Sequence, residues 1–513
     1  MNSKQGTADS PDENFLYLTK AGIDTHQEPV VYMRSDCHVV RSEGFSAQGR
    51  VRVCIDGRSV IATLNIVTGE LLSHQKAGLS DSAWKLLKAK EGDKATFKHA
   101  LPVESMSFVR GKLYGKTLGL EAARAIIGDI SEARYSDIQL AAYVTACAGN
   151  NLNLDETIAI TKAMVECGEQ FDWGEGVQVL DKHCVGGLPG NRTTPIVVAI
   201  VAANGLMMPK TSSRAITSPA GTADTMETLT TVALSFEKMR EVVQEQGACL
   251  AWGGSVSLSP TDDIIIRVER ALDLDSEGQL VASVISKKLA AGSTHVLIDI
   301  PVGPTAKVRS VELAQMLADL LVETGAALGM KVQILISDGS QPVGHGVGPA
   351  LEARDVLAVL QRTKSAPEDL RERALTLAAT MLEMGNACPS GRGLALATQT
   401  LDNGDAWKKF VAICEAQGGL KTPPVAPFQH SITAHKAGIV ALFNNRVISR
   451  LASLAGAPNA VSAGIDLHVR LGDKVEKGQL LMTLHAEARG EMEYALDFYQ
   501  SHLDVLHIEE EFV

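Results

Sequence analysis

The spacing of apolar and polar positions changes several times along the chain and divides it into four predicted regions. In VRVCIDGRSVIATLNIV, residues 51–67, apolar and polar side chains alternate on both sides of Asp56-Gly57. A period of two is typical of β-strands, and Asp-Gly is a strong signal for the turn of a hairpin. Residues 1–100 are therefore expected to form a β-rich N-terminal domain.

A helical period replaces this alternation from about residue 104. Ser136 and Gln139 have the spacing of a capping box and precede the apolar run IQLAAYVTACAG. The segment DETIAITKAMVECG predicts a further helix. Residues 104–172 are predicted to form a helical lobe, to which a segment at about 260–290 contributes.

Strands and helices alternate from residue 175 onward. The strand-like HVLIDI and VQILIS lie on either side of the helix-like VELAQMLADLLVETG, and this order indicates a parallel sheet. We expect an α/β domain over residues 175–425 and, from its short strands and Gly-Asp and Lys-Gly turns, an α+β module over 430–513. The predicted fold class is multidomain α/β.

Composition narrows the classes of function. Asp and Glu number 60 against 48 Lys and Arg, a formal charge of -12, which argues against a nucleic-acid partner. The first residues, MNSKQGTADSPDENF, are polar and do not indicate an export signal. The longest apolar run, 196–203, is too short to span a membrane, so we expect no membrane partner. Eight cysteines without a CxxC pair indicate no zinc site or disulfide framework, so we expect a cytoplasmic protein.

The densest candidate chemistry lies in DKHCVGGLPGNRTT, residues 181–194. A predicted strand, VQVL, precedes this glycine loop, and the helix PIVVAIVAAN follows it. Backbone N–H groups and the helix dipole at such a junction favour an anion, and neither a Walker loop nor a dinucleotide fingerprint is present. The alternative is a plain tight turn with Lys182 and His183 on the surface.

A second loop, KTSSRAITSPAGTAD at 210–224, is also rich in hydroxyl groups and also precedes a helix-like run. Two such turns can hold one ligand from two sides. The alternative is an ordinary helix cap, for example at Thr222.

Five motifs resemble those of one protein family and occur in the same order along the chain. They are DKH, GG, SSRAITSPAGTAD, DSEGQLVASVISKK and SDGSQPVGHGVGPALEA. They are similar to the thymidine phosphorylase and AMP phosphorylase family, and the N-terminal β domain resembles the extension of its long, type 2 branch. The resemblance implies a pentosyltransferase that cleaves an N-glycosidic bond with inorganic phosphate as co-substrate. It implies no metal and no organic cofactor, and a homodimer or larger homo-oligomer.

The resemblance also implies roles for individual residues. The phosphate side comprises Lys182, Cys184, Thr194, Ser212 and Thr222, and the catalytic residues are His183, Asp275 and Lys287. Further substrate-binding positions are Gly187, Ser213, Arg214, Ala215, Ile216, Thr217, Ser218, Ser283 and Lys307.

Two of these positions leave alternatives open, and one position of the family is not assigned. Cys184 stands where short thymidine phosphorylases carry a phosphate-binding serine, and a thiol is a poor hydrogen-bond donor. Asp275 matches a proton donor but also precedes a helical run as a cap would. The base-binding arginine of the family matches neither Arg267 nor Arg270 without a gap.

The motifs send two signals about the substrate. Lys182-His183 matches enzymes that cleave nucleosides, whereas LPGNRTT and SSRAITSPAGTAD resemble the nucleotide branch. The first hypothesis is thymidine phosphorolysis to thymine and 2-deoxyribose 1-phosphate, in pyrimidine nucleoside salvage. The alternative is an AMP phosphorylase that gives base and ribose 1,5-bisphosphate, its second phosphate held by donors such as Arg214, Thr217, Ser218 or Lys307. More distant alternatives are a phosphoribosyltransferase and an anion-binding protein without activity.

Overall fold

A computed structural model describes residues 15–215, 218–256, 258–274 and 276–510. Contacts between Cα atoms divide the chain into two compact units. The first comprises the chain up to Ala148 together with Ile264–Leu274, and the second comprises Gly149–Asp263 and the chain from Asp275 onward.

The first unit contains a closed six-stranded barrel with the strand order β1-β5-β2-β4-β3-β6. Alternate side chains of its strands point into a common core, as the sequence pattern predicts. Asp56 and Gly57 both have positive φ, at 43° and 81°, which suits the tight turn between β3 and β4. The strands are β1 Phe15–Lys20, β2 Val30–Arg34, β3 Arg50–Ile55, β4 Arg58–Val67, β5 Lys76–Leu79 and β6 Lys94–His99, with helices α1 His38–Glu43 and α2 Asp81–Leu87.

Helices complete the first unit. They are α3 Met106–Leu113, α4 Leu120–Ser131, α5 Asp137–Cys147 and the part of α10, Pro260–Leu272, that begins at Ile264. The predicted capping box is present, since Ser136 and Gln139 satisfy each other's backbone N–H groups at the start of α5. Arg267 forms an ion pair with Asp137, with 2.7 Å between Nη2 and Oδ1.

The second unit is built on parallel strands. They are β7 Leu180–Cys184, β8 Met208–Ser212, β9 Ala248–Trp252, β10 His295–Val302 and β11 Lys331–Asp338. A bridge between Val179 and Met207 joins the pair β8-β9 to β7, which gives the order β9-β8-β7-β10-β11. Strands β8 and β9 lie on one side of β7, and strands β10 and β11 lie on its other side. The order of strands therefore reverses between β7 and β10, and ligands of such sheets bind beyond the carboxyl ends of the strands at this reversal point.

Helices cover both faces of this sheet. On one face, Leu180 and Leu297 pack with α7 Thr193–Ala203, α14 Glu368–Met384 and α16 Asp405–Ala416. On the other, Val296 and Ile298 pack with α11 Glu277–Ala290 and α12 Val311–Ala327. The remaining helices of this region are α6 Leu154–Glu166, α8 Thr222–Glu227, α9 Phe236–Gln246, α13 Pro349–Leu360 and α15 Gly393–Asp402.

The C-terminal module has two small sheets, ordered β12-β15-β17-β13 and β16-β14-β18, around its own apolar core. Its elements are β12 Gly346–Val347, β13 Phe428–Thr433, β14 Gly438–Phe443, α17 Asn445–Leu454, β15 Gly464–Leu467, β16 Lys474–Val475, β17 Leu480–Ala486, α18 Arg489–Ser501 and β18 Leu506–Glu509. Within the described ranges, no helix is both long and apolar enough to cross a membrane.

The predicted multidomain α/β fold class is confirmed, and α7 ends at Asn204 as its sequence indicates. One strand was wrongly placed: VQVL was expected to end before Asp181, but β7 runs from Leu180 to Cys184. Hydrogen bonding to β10 sets these bounds, because Leu180 to Cys184 pair in register with His295 to Asp299. The acidic, basic and thiol side chains of the motif therefore lie on the strand itself.

Candidate active site

Strand β7 distributes the side chains of the DKHC motif over two faces of the sheet. Successive side chains of a strand point to opposite faces, so Lys182 and Cys184 share the face of α7, whereas Asp181 and His183 share the face of α11. The resemblance assigns the first pair to phosphate and His183 to the base. Both groups lie near the carboxyl end of β7, at the point where the order of strands reverses.

Lys182 is fully buried, with 0% of its surface exposed. Its ammonium group donates to the Oγ1 atoms of Thr193 and Thr194, at 2.8 and 3.2 Å. Among the residues that the structure describes, no carboxylate forms an ion pair with this ammonium. A buried cation with only neutral partners is costly, so this arrangement favours a bound anion.

The first two residues of α7 present hydroxyl groups, but their backbone amides are already engaged. The N–H groups of Thr193 and Thr194 already donate to the carbonyls of Gly190 and Asn191, at 3.2 and 3.1 Å, and Pro195 has no N–H. Thr194 accepts from Lys182 and still has its own hydroxyl hydrogen to donate.

Cys184 is buried and its thiol points towards Asp299, with 3.5 Å between Sγ and Oδ2. Burial, together with the neighbouring Asp299 carboxylate, raises the pKa of the Cys184 thiol to about 12. The thiol therefore stays protonated and acts as a weak donor. Asp299 also accepts a hydrogen bond from Ser337 and lies 3.7 Å from Arg373.

The glycine loop that follows β7 packs against the segment that follows β10. Gly187 has φ +106°, and a Cβ atom there would lie 3.1 Å from the backbone nitrogen of Lys307. Leu188 donates its N–H to Ser218 Oγ at 3.1 Å, and Thr222 Oγ1 donates to the carbonyl of Asn191 at 3.4 Å. The structure thus brings the two hydroxyl-rich loops into contact.

The second loop folds around the carboxylate of Asp224. This carboxylate accepts from the N–H groups of Ala215 and Gly221, at 2.6 and 2.9 Å. A Cβ atom at Gly221 would lie 2.7 Å from the carbonyl oxygen of Ser213, so the close approach requires glycine. Gly221 rather than Thr222 is the residue before α8. Ile216 and Thr217 lie outside the described residues.

Arg214 is engaged within its own loop. Both of its terminal nitrogens donate to Glu227, one of them at 2.9 Å, and Asp224 lies at 3.2 Å. Its guanidinium also lies 4.8 Å from the centre of the Trp252 ring. Two carboxylates therefore balance this one cation. Ser212 lies at the end of β8 and donates to the carbonyl of Ala251 at 3.4 Å.

Helix α11 carries two of the predicted base-side residues. Ser283 and Lys287 are partly buried and lie four residues apart on one face of this helix. The ammonium of Lys287 donates to the buried carboxylate of Asp262 at 2.6 Å. Ser276 caps the helix by accepting from the N–H of Gln279, whereas Asp275, the predicted proton donor, lies outside the described residues.

Comparison with known proteins decides the family. A protein named "Putative thymidine phosphorylase" from Hahella chejuensis is 61% identical over 498 residues, which are 97% of this chain and 98% of that protein. One of the same name from Legionella pneumophila (strain Paris) is 57% identical over 491 residues, 96% of this chain and 95% of its own. The chain belongs to the thymidine phosphorylase family.

Domain models agree with this assignment. Residues 106–168 match the helical bundle domain and 176–407 the a/b domain of a glycosyl transferase family, and 439–505 match the pyrimidine nucleoside phosphorylase C-terminal domain. Anthranilate phosphoribosyltransferase from Thermus thermophilus shares the fold, with a TM-score of 0.51 and 18% identity over 60% of this chain and 98% of that one. The protein is therefore a pentosyltransferase of the nucleoside phosphorylase type.

Arg192, which no motif singled out, supports the glycine loop and the start of α7 in this phosphorylase. Arg192 is buried and its guanidinium lies 3.3 Å from Glu352 and 3.1 Å from Asp355. Burial raises the pKa of Glu352 to about 7, although Arg192 opposes this, and burial also raises the pKa of Asp355. The network ties the start of α7 to the GVGPALEA motif. The position of an arginine directly before a helix as apolar as α7 could have indicated that Arg192 is buried, but nothing in the sequence identified its partners.

Proposed function

We propose that this phosphorylase cleaves thymidine with inorganic phosphate and releases thymine and 2-deoxyribose 1-phosphate. A nucleoside rather than a nucleoside 5'-monophosphate is the proposed substrate. The observation that carries this choice is the pairing of Arg214 with Glu227 and Asp224. A 5'-phosphate would bring a second dianion, and the arginine of the SSRAITS loop is already neutralised.

The phosphate side supports a phosphorolytic reaction. Lys182 needs an anionic partner, and Thr194 can donate to the same ligand. Both lie at the reversal point of the sheet, where an anion meets the carboxyl ends of β7 and β10. In the proposed reaction an oxygen of this phosphate attacks C1' of the sugar as the glycosidic bond breaks.

The pyrimidine base is supported by the names of the relatives and by the C-terminal domain match. Lys287, held by Asp262, and Ser283 on the same helix face supply donors suited to the carbonyl oxygens of such a base. We propose that no metal or organic cofactor takes part, since phosphate is the only co-substrate that the reaction needs.

The test is phosphate-dependent release of free base, followed by chromatography, with thymidine, uridine, AMP, CMP and UMP side by side in the presence of EDTA. Release from thymidine, with little from the monophosphates, supports the proposal. Release only from monophosphates replaces it with a nucleotide phosphorylase, and activity that EDTA abolishes points to phosphoribosyl transfer.

Glu227→Gln sharpens the test because it removes the bidentate carboxylate partner of Arg214 and leaves Asp224, at 3.2 Å, as its one charged partner among the contacts described above. We expect turnover of 5'-monophosphates to rise roughly tenfold, since a charge-assisted contact contributes about 1.5–3 kcal/mol. Glu237→Gln, on the neighbouring helix α9, is the matched control for loss of one carboxylate. Unchanged selectivity in Glu227→Gln would mean that Arg214 does not limit nucleotide binding.

A further inference from the structure

The glycine loop that follows β7 carries one large apolar side chain, that of Leu188, within the sequence GGLPGN. The backbone φ of Leu188 is +84°, in the left-handed region that glycine adopts freely and leucine rarely does. Such a conformation persists where the surrounding structure fixes it. The neighbours of Leu188 therefore hold the loop in a shape that its own backbone preference does not favour.

The side chain of Leu188 is buried in the apolar core of the C-terminal module. That core also contains Val347 of β12, Ile465 of β15 and Leu484 of β17. Val347 pairs with Ile465 and Ile465 pairs with Leu484, so these three side chains share one face of the sheet. Among the described residues of this core, Leu188 is the one that precedes Val347 in the chain. A residue of the glycine loop thus completes the core of a module that follows much later in the sequence.

The loop backbone is also held next to Leu188. The N–H of Leu188 donates to Ser218 Oγ of the second loop at 3.1 Å. The carbonyl of Pro189 accepts from the N–H of Val343 at 2.7 Å, and Val343 lies just before the strand β12. The middle of the loop is therefore bonded both to the second loop and to the segment that leads into the C-terminal module.

Strand β12 also holds the end of the loop. Arg192 donates to the carbonyl of Gly346, a residue of β12. Arg192 directly precedes Thr193 and Thr194, whose hydroxyl groups are the partners of Lys182. The phosphate-side hydroxyls are thus placed by a loop whose middle and end are both tied to the C-terminal module.

We propose that Leu188 is a positioning residue, through which the C-terminal module holds the glycine loop in the geometry that lets Thr194 and Lys182 bind phosphate. This inference rests on the proposed phosphorolysis and deepens it, because it gives the C-terminal module a part in phosphate binding. Donors that are held in place before the ligand arrives bind it more tightly, since less freedom is lost on binding. Loss of the leucine side chain should therefore weaken phosphate binding more than nucleoside binding.

The experiment is a calorimetric titration of inorganic phosphate into the full-length wild type, Leu188→Ala and Leu188→Gly. Both variants remove the anchoring side chain, and glycine also suits the positive φ, so it removes the anchor without backbone strain. We expect the dissociation constant of phosphate to rise roughly tenfold in each. Leu188→Met retains an apolar side chain of similar volume and should bind phosphate within about threefold of the wild type.

A matched control distinguishes positioning from general loss of packing. Leu506→Ala removes the same side chain from the same core, but from β18, which lies in the other sheet of the module. It should lower the temperature of thermal unfolding as Leu188→Ala does, yet leave the dissociation constant of phosphate within about threefold of the wild type. Equal weakening of phosphate binding in Leu506→Ala would overturn the proposal.

Steady-state kinetics provide a second measurement. In Leu188→Ala and Leu188→Gly, KM for phosphate should rise roughly tenfold, with a smaller change in KM for the nucleoside. If either variant is folded, as judged by thermal unfolding, and binds phosphate as the wild type does, the inference is wrong while the proposed phosphorolysis stands. A wild type that binds no phosphate would instead refute the proposed phosphorolysis, and this inference with it.

Discussion

The buried lysines on the two faces of strand β7 have different partners. On the α7 face, the ammonium of Lys182 has two threonine hydroxyls as partners, whereas on the α11 face Lys210 and Lys288 share the carboxylate of Asp181. The first arrangement is incomplete without an anion, and the second already contains one. Adjacent residues of one strand can therefore serve the two ends of the proposed reaction, and their buried ammonium groups differ in whether a carboxylate pairs with them.

We expect the largest effect from the loss of Arg192, whose ion pairs support the α7 face. Arg192→Met leaves Glu352 and Asp355 buried without their cation, so we predict a loss of about 3–5 kcal/mol in the free energy of unfolding. Denaturant unfolding measures this loss. Lys408→Met, which removes an exposed ion pair with Asp405, should cost less than about 1 kcal/mol. Equal losses in the two variants would show that the Arg192 network does not stabilise the fold.

Lys182→Ala removes the cation of the α7 face directly. We predict that kcat/KM for phosphate falls by roughly 10²–10³-fold, the loss typical of removing one charge-stabilising donor. Steady-state kinetics at varied phosphate with saturating nucleoside measure it. An unchanged KM for phosphate would refute the assignment of this face.

The α11 face should be the acid-sensitive one. The pKa of His183 is lower in the folded than in the unfolded protein, so the unfolded state binds more protons below about pH 6.5. The contribution of His183 to the free energy of unfolding should therefore decrease as the pH falls below that value. Urea unfolding of the wild type and of His183→Gln across pH 5–8 measures this contribution as the difference between the two slopes, because the other titrating groups are common to both proteins. We expect the wild type to lose more stability than His183→Gln as the pH falls, and equal slopes would show that His183 makes no such contribution.

Cys184→Ser is the mildest change on the α7 face. The thiol is neutral and already hydrogen-bonded to Asp299, and a serine hydroxyl can make the same contact. We predict that kcat/KM for phosphate changes less than about threefold. A much larger change would mean that the sulfur atom contacts phosphate itself.

Much of the fold follows from local sequence. The Asp56-Gly57 turn, the Ser136–Gln139 capping box and the end of α7 at Asn204 are encoded within a few residues, and each is present. The bounds of β7 were not predictable in the same way, because pairing with β10, more than 100 residues later in the chain, sets them.

The candidate site shows the same limit. The motifs identified Lys182 and the two loops, but the partners of Arg192 lie far away, Asp355 being 163 positions further along the chain. Asp299 was a signal that the motifs did not include: it is an acid within the apolar strand HVLIDIPV and so requires a buried partner. The lysines that contact Asp181 are set by the tertiary packing of β8 and α11. The local spacing of apolar and polar residues does not determine that packing.

The division of roles across β7 is tested most directly by calorimetric titration of inorganic phosphate alone into the wild type, Lys182→Ala and Lys287→Ala. If the α7 face holds the phosphate, Lys182→Ala loses phosphate binding by roughly 100-fold or more, whereas Lys287→Ala binds within about threefold of the wild type. Wild-type affinity in Lys182→Ala, or an equal loss in both variants, would contradict this division of roles.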